Sequence, residues 1–134
     1  MAQPTASLNN DSKLIHEGLD SIVIRQYIAG LKNGKVLDVT GFAPDVIKAG
    51  HVIIHDTVND TYKPMPLNEA GTAYGSLPAN HEYAGVLVGT VLKKCPAAGI
   101  MYAGEVNDVA SPFSVDSIKS AIKTALPGLV FAHD

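Results

Sequence analysis

The chain is poor in several things that chemistry usually needs. It has one cysteine, Cys95, and no tryptophan among 134 residues. A single cysteine closes no internal disulfide and builds no thiolate zinc cage, which excludes a disulfide-stapled scaffold. The missing tryptophan removes a Trp-anchored ligand platform. Charged residues are only 17% of the chain, below the usual quarter, which argues against a disordered tail or a coiled coil. Ten basic residues face thirteen acidic ones, for a net charge of −3. Nothing there neutralises a phosphate backbone, so no nucleic-acid partner is expected. No apolar run approaches the roughly 20 residues of a membrane span, and none is expected to meet a membrane. Met1–Asp11 is polar and has no apolar stretch of the kind a signal peptide carries. The expectation is a single domain made in a cytoplasm.

What is present is β-prone and punctuated by glycine. Residues 1–20 read as a flexible N-terminal arm with apolar Leu8, Leu14 and Ile15. From residue 21 to 134 a single mainly-β domain is expected. Ile22, Ile24, Gln26 and Ile28 fall on one strand face, with Val23, Arg25 and Tyr27 on the other. Asn33-Gly34 then separates this run from Val36–Thr40, and Asn-Gly favours a type I′ turn, so residues 22–40 read as a hairpin. In the core body, residues 50–134, His51–His55 reads as a strand. Thr61–Met65 reads as an edge strand, because Pro64 cannot donate to a ladder. Residues 67–82 form a long Gly/Pro/Asn loop. Tyr83–Lys93 is the best strand, with Gly85 and Gly89 hinting at bends or close backbone approach. Ile100–Val106 and Leu129–Phe131 complete the set. One short C-terminal helix is expected, capped by Ser114, with Val115, Ile118, Ile122, Ala125 and Leu126 on its apolar face and Pro127-Gly128 as its stop. The fold class is mainly β: a small β-barrel or sandwich with one helix and an extended arm.

Catalytic chemistry finds no footing. His51 and His55 have the four-residue spacing of zinc ligands on a helix, but Val52-Ile53-Ile54 between them favours a strand, which holds them about 13 Å apart. They read as two rim histidines rather than metal ligands, and no metal is expected. Cys95, between Lys94 and Pro96, has no nameable base beside it and reads as structural. There is no G-x-S-x-G motif, and Gly30–Gly34 lacks the Gly-Lys-Ser/Thr ending of a phosphate-binding loop. No catalytic residue and no cofactor are assigned, and the chain does not read as an enzyme.

From Ala49 to the C-terminus the order of elements resembles the head decoration proteins of lambda-like tailed bacteriophages. Val52–Asp56 followed by a turn and Tyr62-Lys63-Pro64-Met65 resembles that family's first strand pair. Tyr83–Val91 resembles its central glycine-containing strand. Gly99–Val106 with the later Pro112 resembles the next strand, and Ile118–Phe131 the closing helix, glycine turn and terminal strand. The likeness spans roughly 85 residues. Loop 67–82 is longer than that family carries, and a hairpin stands where the family has an arm. A related phage head-fibre protein that anchors to capsids stays open for that reason.

The resemblance implies a structural virion protein on the capsid exterior, assembled in the host cytoplasm. It implies a homotrimer, bound to the major capsid protein, that stabilises the shell or anchors a head fibre. The arm of such proteins pairs with capsid strands. Here Ile22, Val23, Ile24 and Tyr27 have that character, with Leu14 and Ile15 as an upstream apolar anchor; equally, this strand can complete the protein's own sheet. The alternative is a small carbohydrate- or host-surface-binding module that uses loop 67–82, with Tyr74 and Tyr83 as stacking surfaces.

Overall fold

The computed structural model describes residues 3–6 and 19–134. Their order is α1 (Asp20–Val23), β1 (Ile24–Gly30), β2 (Lys35–Val36), β3 (Val46–Ile47), β4 (Val52–Asp56), β5 (Thr61–Pro64), β6 (His81–Leu87), β7 (Val91–Leu92), β8 (Ala97–Ala98), β9 (Ile100–Val106), α2 (Lys119–Ala125) and β10 (Leu129–Phe131). The fold is mainly β with one short C-terminal helix, as the pattern implies, but the sheet does not close into a barrel. The main sheet runs β1-β9-β6-β4-β5, with β10 parallel to β9; β2–β8 and β3–β7 are two-stranded ribbons.

The continuous apolar run of β4 is explained by burial on both faces of the sheet. Val52 and Ile54 join one cluster with Val86, Met101, Ile122 and Leu129. Ile53, between them, joins a second cluster with Leu37, Phe42, Ile47, Leu87 and Ile100. Residues 113–129, which carry α2, and the ring of Tyr74 cover the first face; residues 37–47 cover the second. Strands β6 and β9 touch so closely that a Cβ on Gly85 would lie 2.3 Å from the Met101 carbonyl oxygen, at φ +154°. Close backbone approach, rather than a turn, is what this glycine permits.

Several expectations need correction. Asn33 (φ 65°) and Gly34 (φ 67°) do adopt the positive dihedrals of a tight turn. The flanking segments, however, do not pair with each other. β1 pairs antiparallel with β9, and the two-residue β2 pairs with β8. A seven-residue partner strand for β1 and full burial of Leu37 in the second cluster outweigh a local ladder. The strand starts at Ile24, not Ile22: the N–H groups of Ile22 and Val23 both donate to Leu19 O, closing a helical turn.

The C-terminal helix is shorter than its apolar pattern. It begins at Lys119 with no side-chain cap. The Ser114 hydroxyl instead accepts the Asp116 N–H at 3.3 Å, which holds a separate turn. Val115, Ile118 and Ile122 are buried as expected, whereas Ala125 is exposed. Loop 67–82 is not an open stacking surface. The Asn68 side chain accepts the Thr72 N–H at 3.0 Å, Leu67 bridges Tyr74, and Tyr74 is buried in the core with its hydroxyl accepting the Val52 N–H at 3.0 Å. His51 is not a rim residue either. It is 1% exposed, and its Nε2–H donates to Met65 O at 3.0 Å. Thr61–Pro64 does lie at the sheet edge, where Pro64 belongs.

Candidate functional site: the open sheet edge

The two edges of the main sheet are treated differently. At the β5 edge, Leu37 bridges Tyr62 and the Asp38 N–H donates to Tyr62 O at 2.7 Å; Pro64 has no N–H to offer. That edge is closed. At the other edge, β1 pairs with β9 on its inner side and with no other strand among the described residues. An unpaired row of backbone groups is a template for another strand.

The same edge gathers apolar surface. Of eight exposed large hydrophobic side chains among the described residues, six belong to this end of the sheet: Leu19, Ile22, Tyr27, Ile28, Tyr102 and Val130. Tyr27 is 55% and Ile28 62% exposed. Tyr102 stands on β9, next to the edge strand, and Val130 on β10, across β9 from β1. Natural proteins blunt open edges with charge, proline or bulges. Here the ladder carries three register shifts, and the exposed side chains of the strand are Arg25, Gln26, Tyr27 and Ile28, with Arg25 held by Asp134.

The residues expected to contact a capsid are separated by this geometry. Leu14 and Ile15 lie outside the described residues. Ile22 is exposed on α1 and Tyr27 on β1, so these two remain at the surface. Val23 is 1% exposed and belongs to the first cluster, so its side chain is spent on the core. Ile24 is half-buried against that same cluster. The run from Ile22 to Tyr27 is therefore not a spare strand to be handed to a partner, because its inner edge is already bonded to β9. What it offers is its outer edge, as an acceptor. Ile28, Tyr102 and Val130 were not among the expected contacts. Strict alternation puts Ile24 and Ile28 on one face, but the bulges break that alternation, so Ile24 packs inward while Ile28 is exposed.

Two polar arrangements surround the body. The Asp108 carboxylate takes the Lys119 ammonium at 3.0 Å and His133 Nδ1–H at 2.7 Å. These two bonds hold its pKa down to about 2. Beside β1, the Arg25 guanidinium donates to Asp134 at 3.0 Å. Together these contacts fasten the end of the chain across the α2 entrance and the edge strand. At the far end of β4, His55 stacks on Tyr62 with ring centroids 4.6 Å apart and bonds both Asp60 and Glu82.

Among the described residues no group of three or more His, Cys, Asp or Glu side chains is placed to hold a metal. A cavity of about 260 Å³ is walled by Phe42, Pro44, Pro64, Pro66 and Leu67. No described helix is long and apolar enough to cross a membrane. No protein-family model matches the chain, and neither curated proteins nor solved structures give a match.

Proposed function

We propose that this chain is a structural virion protein, a homotrimer that binds the outer surface of a phage capsid through its β1 edge and stabilises the shell or anchors a head fibre there. The observation that carries the reading is the pairing of an open backbone edge with six exposed apolar side chains at one end of the sheet. Strand addition draws affinity from backbone hydrogen bonds and specificity from alternate side chains, and Tyr27 and Ile28 supply the latter. Pairing of the β1 edge with the same edge of a second copy closes as a twofold dimer. A trimer built on other surfaces leaves this edge to the capsid protein. The capsid itself, as distinct from any other strand donor, rests on the ordered likeness of residues 49–134 to head decoration proteins.

The test is the mass in solution together with co-sedimentation on capsids of the encoding phage. The expected result is a trimer that pellets with shells, and a loss of pelleting of at least tenfold in Ile28→Lys, whose exposed site tolerates the change. A protein that stays monomeric at high concentration and never pellets refutes the proposal. So does Ile28→Lys pelleting as well as the native chain.

A further inference from the structure

His55 occupies a position that only its cation satisfies. Its Nδ1 lies 3.0 Å from Glu82 Oε1 and its Nε2 lies 2.8 Å from Asp60 Oδ1. Both partners are carboxylates and accept only. A neutral imidazole carries one N–H, so either tautomer points a lone pair at a carboxylate at hydrogen-bond distance. The imidazolium donates to both.

The geometry points to a proton-operated clip in which protonated His55 bonds both the turn between β4 and β5 and strand β6, and deprotonation removes one of the two bonds and loosens the turn, which Thr57 still ties to Asn80 O. Three elements meet there. His55, the penultimate residue of β4, lies directly across from Glu82 on β6, and Asp60 sits in the 57–60 turn. The ring lies on Tyr62 of β5, and the Lys35 ammonium stands over the Tyr62 ring, 5.5 Å from its centroid. The neighbouring cross-strand pair, Asp56 and His81, places His81 Nε2 3.7 Å from Asp56 Oδ2. The Asp56 carboxylate accepts the Val58 and Asn59 N–H groups and so shapes the turn whatever the state of His55. At the tip of the turn stands Val58, 71% exposed. The clip thus sets how firmly an apolar residue is presented to solvent.

Burial of the ring lowers the pKa of His55, but the bonds to Asp60 and Glu82 and their charges outweigh that effect, so the net shift is upward from 6.5. A raised histidine pKa gives stability that is complete below 6.5 and is lost as pH rises through the folded value. The clip is closed in mild acid and opens toward the alkaline side.

The test uses the full chain. Histidine-ring NMR follows His55 alone, and amide exchange of residues 57–60, corrected for intrinsic rate, is measured at about pH 5.5 and about pH 8.5, either side of the ordinary histidine range. Expected are a His55 midpoint above 6.5, lowered in both Asp60→Asn and Glu82→Gln. Protection of the turn should fall roughly two- to fivefold between the two pH values, the range of an exposed ion pair. His55→Gln should abolish that pH dependence. Asp60 and Glu82 are exposed, so their variants keep the fold even where His55→Gln loses it. A His55 midpoint at or below 6.5, or one unmoved by both carboxylate changes, overturns the clip.

Discussion

His51 makes acid stability a test of the core. The ring is 1% exposed and meets Phe42, Tyr74 and Phe113 edge-on, with centroids 5.4, 5.1 and 5.7 Å away. Phe42 belongs to the second cluster, while Tyr74 and Phe113 belong to the first, so this one side chain links the two faces of the sheet. Burial drives its pKa from 6.5 down to about 4, opposed only by the bond to Met65 O. The neutral ring is therefore the native form. Between pH 6.5 and about 4 the unfolded chain binds a proton that the native chain refuses. The stability is complete above 6.5 and drains away as pH falls through the folded value. At 1.36 kcal/mol per unit, that window is worth about 3 kcal/mol, a large part of the 5–15 kcal/mol typical of a domain.

The perturbation is His51→Gln, which keeps an N–H for Met65 O and removes the titration. Urea unfolding is followed at several pH values across the window. Loss of the ring contacts lowers the variant's stability at neutral pH, so the informative quantity is the slope. The native chain should lose about 3 kcal/mol across the window, and the variant should lose far less. The other groups whose pKa is shifted in this range of pH act outside the window. The His55 contribution is constant below 6.5, and the depressed carboxylates Asp56 and Asp108 act between 3.8 and about 2. Equal slopes for the two proteins would refute the placement of a neutral His51 in the core.

Tyr74→Phe removes the acceptor for the buried Val52 N–H and should cost about 1–3 kcal/mol in denaturant unfolding; a near-neutral result would mean that Val52 finds another partner. Gly104→Ala forces a Cβ to 2.3 Å from Gln26 O at φ +147°. It should cost about 3 kcal/mol or more and release β1 amides to exchange first, and a thermal midpoint like that of the native chain would contradict the β1–β9 ladder. Asp108 is held near 2 by Lys119 and His133, so its contribution is present above 3.8 and lost as pH falls through the folded value. Asp108→Asn should therefore shift the acid-unfolding midpoint upward relative to the native chain, and an unchanged acid transition would show that the carboxylate does not tie the chain end to α2.

What the sequence made legible, and what it hid, divides along the range of the forces involved. Val52-Ile53-Ile54 and Ile100-Met101 announce strands because β-branched and apolar residues in short runs suit a sheet buried on both faces. Pro64 marks its edge because a missing donor is a local fact. The hairpin reading failed although its turn is real. Asn33-Gly34 dictates dihedrals, but not which strand the flanking residues meet, and β9 is about seventy residues away. His51 misled for a related reason. A lone histidine has no local signature of burial, and what buries it is Phe42, Tyr74 and Phe113, drawn from three separate segments.

The edge itself shows the same division in a form that bears on function. Apolar character in Ile22–Ile28 is visible in one dimension, and it is equally consistent with a core strand, a donated strand or a docking edge. Only topology separates these. Val23 and Ile24 face the core, the β9 ladder uses the inner side of β1, and the opposite edge of the sheet is closed by Leu37 and Pro64. Tyr27 and Ile28 are then left exposed on a strand that has no second strand partner among the described residues. The cost of such an edge is self-association, and three bulges roughen it without covering it. If Tyr27→Lys with Ile28→Lys left every association of the protein unchanged, the apolar edge would be incidental to what this protein does.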